Sequence, residues 1–441
     1  MPQLAERIRP WLTAVDERPQ GAPRWLQDLR DRAASRFGAL GFPTVRDEDW
    51  RFTNISPIVA GEFRPAGPAP AAVGDLASIP HAGVGHRIVL VNGRFAPELS
   101  RLGSLPRGVR VASLASAVTE QADVVQRYFG QLADFGSRSF AALNSALASD
   151  GAFVHIADGL ILEEALQIIF VAVPSGDARP MTSARVLVVA GERVQARIVE
   201  TYAGPADMAY FTNAVTEIFA GENAVVDHYK VQQEGARGFH VASMHVHAAR
   251  AASFTSHSFS LGARIARNDA IVLLDGEGAE CTLNGLYLAD GERLVDNHTM
   301  IDHARPHCPS HEIYKGILGG SARAVFNGKI VVRPDAQKTD AKQTNRALLL
   351  SDNASINTKP QLEIFADDVK CTHGAAIGQL DDDAIFYLRS RGLPYFEARD
   401  MLIRAFAGDI LDRVKIPELR AGLEQELYSQ LAKDLEEIDR Q

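Results

Sequence analysis

Cys371 and His373 are two residues in this 441-residue sequence whose types and spacing could form part of a metal-binding element, although as a bare pattern the pair is weaker than the denser cluster of His303, His307, Cys308 and His311. Both follow a strand-like run. Alternate strand residues project to one face, so a thiol and an imidazole two positions apart can reach the same ion. That donor set suits zinc, iron or an iron–sulfur unit. Two ligands do not complete such a site. An iron–sulfur cluster normally takes four, and the remainder would come from elsewhere in the chain or from a second protein. On pattern alone, a buried structural cysteine is the stronger reading of Cys371.

Other chemistry-bearing residues are grouped but incomplete. His303, His307, Cys308 and His311 fall within nine positions. Pro306 and Pro309 imply an irregular loop there, in which the four could converge on a metal or serve as ordinary turn residues. His245-x-His247 on a predicted strand looks like half of a cupin metal site, but Ala248, Ala249, Arg250 and Ala251 follow where a carboxylate ligand is required. A structural or solvent-facing pair is the default. Asp367, Asp368 and the triplet Asp381, Asp382, Asp383 could do the acid/base work of a β-solenoid polysaccharide enzyme. Turn and helix-cap roles are favoured instead, because the triplet directly precedes a helix-like segment. Gly319-Gly320-Ser321 lacks the lysine and hydroxyl of a phosphate-binding loop, and neither G-x-S-x-G nor H-E-x-x-H occurs. The expectation is a chain without catalytic residues of its own.

The elements that must position these residues divide the chain into three. Residues 4–40 have helical spacing, with Trp25, Leu26, Leu29, Ala33 and Phe37 on one stripe, ended by Gly41 and Pro43. Residues 65–74 read as a loop, 87–92 as a strand, and 114–147 as helical again, giving a mixed, mainly helical region over 1–150. Residues 151–382 change character. Runs at 167–173, 185–189, 239–246 and 271–274 are rich in β-branched and aromatic residues. Small turns recur at Gly221-Glu222-Asn223-Ala224, Ala249-Arg250-Ala251, Gly276-Glu277-Gly278-Ala279 and Gly319-Gly320-Ser321-Ala322, with weaker breaks at Gly235 and Asn268. The first three are 28 and 27 residues apart, which predicts a β-solenoid with two strands per turn; a β-sandwich is the alternative. From 383 to 441 helices return, with one stripe of Tyr395, Ala398, Leu402 and Ala405 and another of Leu419, Leu423, Leu427, Leu431 and Leu435. Such stripes either cover their own domain or bind a partner.

Bulk properties exclude several classes. A net charge of −9 with no basic stripe argues against nucleic-acid binding. The longest apolar run, at 165–173, is far short of the ~20 residues of a membrane-spanning helix. Residues 1–11 lack the apolar stretch of a secretory signal. Three cysteines, Cys281, Cys308 and Cys371, fit a reducing cytosol.

Several segments together resemble the SufB/SufD family of iron–sulfur cluster assembly proteins over nearly the whole chain. They are Asp49-Trp50-Arg51-Phe52-Thr53; 298–301 with His307-Cys308-x-Ser310; Tyr314-Lys315-Gly316; Asn327-Gly328-Lys329-Ile330; Gln343-Thr344-Asn345; Lys359-Pro360-x-Leu362-x-Ile364; Asp367-Asp368-Val369-Lys370-Cys371-x-His373-Gly374; and Tyr387-Leu388-x-Ser390-Arg391-Gly392. Gly374, where SufB-type chains typically carry glutamate, and the lack of any cysteine before Cys281 align the chain with the SufD branch. The resemblance implies a right-handed parallel β-helix flanked by helical regions. It implies a scaffold role, with iron acquisition and complex stability as its contribution. It also implies pairing of β-helix edges with a SufB-type subunit and a SufC-type ATPase held by the carboxyl-terminal helices. Open sheet edges invite pairing, so a homodimer is an alternative when the chain is isolated. Tyr395, Phe396, Leu402 and Phe406 are the implied ATPase contact. No cofactor is expected to be permanent. His373, with Cys371 as a second contributor, is the implied ligand of transient iron or an iron–sulfur cluster shared with the partner, while His307 and Cys308 sit in a family segment as secondary metal candidates.

Overall fold

The computed structural model of the chain describes residues 2–16, 21–67, 79, 83–176 and 178–438. From Ala152 onward, consecutive strands alternate between two parallel sheets, each pairing with the strand two along in sequence. One sheet runs Ala152–Ile156, Arg179–Ala190, Phe211–Ala220, Phe239–Ala248, Ile265–Leu274, Leu294–His303, Arg323–Val332 and Ser355–Ile364. The other runs Leu166–Val171, Gln195–Ala203, Val225–Gln233, Ser253–Ser260, Glu280–Ala289, Pro309–Leu318, Asp340–Leu349 and Lys370–Gly378. The result is a β-solenoid of about eight turns, as the turn rhythm predicts.

The register follows from like residues stacking on like. In the first sheet Val154, Val188, Ile218, Val246, Val272, Ile301 and Ile330 form one buried column, each in register with the next. Full burial of each such side chain is worth roughly 1.5–3 kcal/mol, and a slip by one residue would turn the whole column outward. The corners repeat as well. Arg193, Asn223, Ala251, Gly278, His307 and Lys338 all have positive φ, and each donates its backbone N–H to a carbonyl of the following turn, at 2.7–3.2 Å. Gly276 at such a corner has no room for a side chain, since a Cβ there would lie 2.0 Å from the backbone nitrogen of Arg250. Asn268, predicted as a break, instead lies within Ile265–Leu274, because its amide is bonded inside the solenoid to Ser260 Oγ at 3.1 Å and Asn297 Oδ1 at 3.3 Å.

The first 150 residues are less helical than their spacing suggests. Helices Pro2–Asp16, Arg24–Leu40, Leu114–Glu120, Ala122–Tyr128 and Ser139–Leu147 are present, but His86–Val91 joins the second sheet and Val109–Ser113 pairs antiparallel with Ala152–Ile156. Pro65 ends a short strand, Phe63–Pro65, paired with Arg179–Met181; residues 68–74 of the predicted loop lie outside the described residues. This region is fastened to the solenoid by buried charge. Glu217 is ion-paired with Arg185 and accepts the backbone N–H groups of Gly130 at 2.8 Å, Leu132 at 2.8 Å and Ala133 at 3.1 Å. Arg267, buried in the sheet, donates to the Asp49 carbonyl at 2.6 Å, to Asp296 at 2.6 Å and to Asp269 at 2.7 Å, with the Trp50 ring 4.2 Å from its guanidinium.

Three helices close the chain: Asp382–Ser390, Tyr395–Leu411 and Pro417–Ile438. Leu419, Leu423, Leu427 and Leu431 are buried on the outer face of the second sheet against Tyr229, Val231, Phe259 and Leu286; the Leu435 side chain lies outside the described residues. In the middle helix the buried stripe is Ala398, Ile403, Ala407, Ile410 and Leu411, whereas Ala405, expected to share a stripe with Ala398, is exposed. Ile403 and Ala407 carry the contact with the cluster on the second sheet, while Leu402 is half-buried at its margin.

Candidate functional site

The solenoid ends without a lid. Among the described residues, Ser355–Ile364 and Lys370–Gly378 are each paired along one edge only, and nearly all of Lys370–Gly378 is exposed. His373 stands on this last strand, exposed, in register with Gln343; Cys371 stands two residues before it, half-buried, in register with Ala341. Both belong to columns that run back into the interior: Cys281, Ser310, Ala341 and Cys371 in one, Leu283, Glu312, Gln343 and His373 in the other. The predicted sharing of one face by Cys371 and His373 therefore matches the strand geometry. Cys371 packs against Ile330, Ala336, Ala341 and Ala366, and burial pushes its thiol up despite a hydrogen bond from the Ala341 backbone. Metal binding there needs the thiolate, so a positive charge must arrive with the ligand.

His303, His307, Cys308 and His311 do not converge. His303 is buried with Nε2 3.0 Å from Ser310 Oγ, while Cys308 is buried in the core and its thiol donates to the Gly276 carbonyl at 3.3 Å. His307 is exposed in the corner position held elsewhere by Asn223 and Gly278, and His311 points outward from the second sheet. Adjacent in sequence, His307 and Cys308 thus face opposite environments. His245 is buried beneath the amino-terminal region, and His247 lies 3.4 Å from Asp275. Asp368 is ion-paired with Lys338, and Asp381 accepts the Asp383 N–H at 2.9 Å as the cap of the next helix. No group of three or more His, Cys, Asp or Glu poised to hold a metal occurs among the described residues.

A second surface lies close by in sequence. Phe386 and Tyr387 on the first carboxyl-terminal helix are 74% and 57% exposed, and Tyr395, Phe396 and Met401 on the next are 45%, 42% and 46% exposed. Five large apolar side chains left in solvent on two consecutive helices have no role in the chain's own core. Leu402 and Phe406 are half-buried behind them, with Lys315 Nζ 4.8 Å from the Phe406 ring centroid.

Burial of neutral histidines gives the fold a pH dependence. Desolvation holds His245 and His303 down at about 4 and His257 at about 3. Their folded values lie below the unfolded value of roughly 6.5, so the unfolded chain binds more protons and stability falls as pH drops below that value. Glu312 opposes them: burial raises its carboxyl to about 7, so near neutrality the folded state retains a proton that the unfolded state has already released. Burial also holds His155 and His240 down, so the histidines outnumber it and acidification from pH 7 to 5 is expected to cost at least about 3 kcal/mol, readable in denaturant melts at the two pH values. Equal midpoints would show that these histidines are not buried neutral.

Sequence reasoning missed Glu312 and Gln343 as neighbours of His373, although Gln343 stands in a recognised segment. Glu312, Gln343 and His373 are 31 and 30 residues apart, one solenoid turn each, whereas the corner turns at 221, 249 and 276 are 28 and 27 apart, so stepping back from His373 by the shorter period misses both.

Comparison with known proteins bears on the whole chain. Residues 173–406 match the family model described as the SufBD core domain of SUF-system iron–sulfur cluster assembly, and residues 16–168 match the SufBD protein N-terminal region. An iron–sulfur cluster assembly SufBD family protein of Synechocystis is 37% identical over 91% of this chain and 90% of its own length. The iron–sulfur cluster assembly protein SufD of Escherichia coli is 31% identical over 90% of each chain, and that of Bacillus subtilis 26% identical over 94% of this chain and 95% of its own. With its core and its amino-terminal region both matched, and with relatives aligned from end to end, the chain belongs to the SufBD family of iron–sulfur cluster assembly proteins, as a subunit of SufD type.

Proposed function

We propose that this chain is a scaffold subunit without chemistry of its own, which pairs the open end of its solenoid with a SufB-type subunit and contributes His373, with Cys371 beside it, to a site completed by that partner. The observation that carries this reading is the position of His373 on an exposed strand with one free edge. Backbone N–H and C=O groups along such an edge invite another chain, and an imidazole beside them becomes part of whatever the two chains enclose. Iron or a nascent cluster is the cargo. A site divided between two proteins opens when they move apart, so release needs no reaction by this chain. The aromatic surface from Phe386 to Met401 suits the ATPase, a SufC-type subunit, whose movement would reach His373 through the helices next to its strand. Iron acquisition and stabilisation of the assembled complex follow from the same contacts. A reducing cytosol fits three unpaired cysteines, and among the described residues no helix is long and apolar enough to cross a membrane.

The test is anaerobic co-expression with SufB- and SufC-type subunits. A purified three-component complex with iron–sulfur absorbance is the expected result. Light scattering of the chain with and without the SufB-type subunit separates a substitute homodimer, which should dissolve when the partner is added, from a native one that persists and would refute the pairing. A chain that captures neither partner would remove the basis of the reading.

A further inference from the structure

We infer that Gln343, fixed in place by Glu312, is the positioning residue for His373, accepting an imidazole N–H so that the other ring nitrogen faces outward to a metal. This rests on the reading of His373 as a ligand. Three observations carry it. Gln343 is the in-register neighbour of His373 on the next strand inward, and parallel in-register side chains stack on one face. Its amide is oriented from below: Nε2 donates to Glu312 Oε2 at 2.8 Å, which leaves Oε1 as the remaining acceptor. That Oε1 is buried and has no hydrogen-bond partner among the described residues, and Gln343 itself is only 2% exposed. A buried acceptor with no donor is costly, and the imidazole stacked above it can supply an N–H.

Space for this arrangement is kept by the opposite sheet. A Cβ at Gly328 would lie 2.1 Å from Gln343 Nε2, so any side chain there would displace the amide. Glycine in the Asn327-Gly328-Lys329 segment is thus explained by the amide rather than by its own backbone. Metal-bound histidines commonly have their second nitrogen held by such an acceptor, and losing it typically lowers metal affinity by roughly 10–100-fold.

The experiment uses the full chain in its apo complex with the SufB-type subunit, with Co2+ as the probe metal and nitrogen-15-labelled histidine for NMR. In the unmodified protein one neutral tautomer of His373 is expected to dominate; an even mixture would overturn the inference without any variant being made. Gln343→Leu is expected to mix the tautomers and weaken Co2+ binding roughly 10–100-fold, and Gln343→Glu, which keeps an acceptor at the same place, to restore most of both. Unchanged tautomer and affinity in Gln343→Leu, while His373→Ala abolishes binding, would refute the positioning role and leave the ligand role standing. If His373→Ala binds Co2+ normally, the ligand role fails and this inference with it.

Discussion

The His373→Ala chain is expected to fold, to purify with its SufB- and SufC-type partners, and to yield a complex that lacks iron–sulfur absorbance. Folding should survive because His373 is exposed and forms no part of a hydrophobic cluster, so its removal leaves neither a cavity nor an unpaired charge. The strand stays anchored without it: Cys371 keeps its contacts with Ile330 and Ala341, and the backbone pairing with Asp340–Leu349 is unaffected. Cluster loss should be nearly complete, since one missing ligand in a site shared between two chains also removes a link between them. Absorbance and iron content per complex are the readouts. A normal cluster in this variant would make the contribution of the chain structural, whereas failure of the complex to form would point to the strand edge rather than to the ligand.

Replacing Arg267 by alanine is expected to cost about 3–5 kcal/mol, the loss usual when one member of a buried ion pair is removed. Burial pushes the Asp296 carboxyl up, but the charges of Arg267 and His298, with a hydrogen bond from Thr53, overcome that effect and hold it well below the usual carboxylate range. Take the guanidinium away and Asp296 stays buried with His298 and Thr53 beside it, while Asp269 keeps its ion pair with Arg138. The Asp49 carbonyl loses its donor, and Trp50 loses the cation under its ring. The amino-terminal region should therefore loosen before the solenoid does, with Trp50 fluorescence changing ahead of circular dichroism in a denaturant titration. Because the Asp296 carboxyl is depressed in the folded state, its contribution is complete above the unfolded value near 3.9 and is lost as pH falls from there. A cost under about 1 kcal/mol, typical of exposed pairs, would show that this contact is no fastening.

The solenoid was legible because its period is written in small corner residues. Gly221, Ala249 and Gly276 mark successive corners where the chain leaves the first sheet, whereas Gly319 follows a strand of the second sheet and marks the opposite corner. The strand His86–Val91 was legible as residues 87–92, and the start of the solenoid at Ala152 as residue 151, but the place of that strand in the second sheet was not, because Leu166–Val171 beside it decides that. The same holds for the helix Tyr395–Leu411, whose apolar residues run most of the way around it. Which of them turn inward is settled by the shape of the sheet below. Arg267 gives no local sign of its importance, since its partners come from Asp49, Asp269 and Asp296, two of them far away in sequence. His373 was found through family motifs; its supporting column was hidden until the turns were stacked.

The carboxyl-terminal helices share one apolar cluster with residues of successive strands of the second sheet, among them Val199, Tyr229, Phe259, Leu286, Ile317 and Leu348. Mechanically, this makes most of the molecule a stiff beam, clamped along its length, in which no single strand can slide alone. Compliance is left at the open end, where Ser355–Ile364 and Lys370–Gly378 each have a free edge. Lys370–Gly378 bears on a neighbour along one edge only, and three residues further on it becomes the helix Asp382–Ser390, whose Phe386 and Tyr387 stand in solvent. A tug on those aromatic rings is shared between the helix Tyr395–Leu411, on which Asp382–Ser390 packs, and the last plank, the one that carries His373.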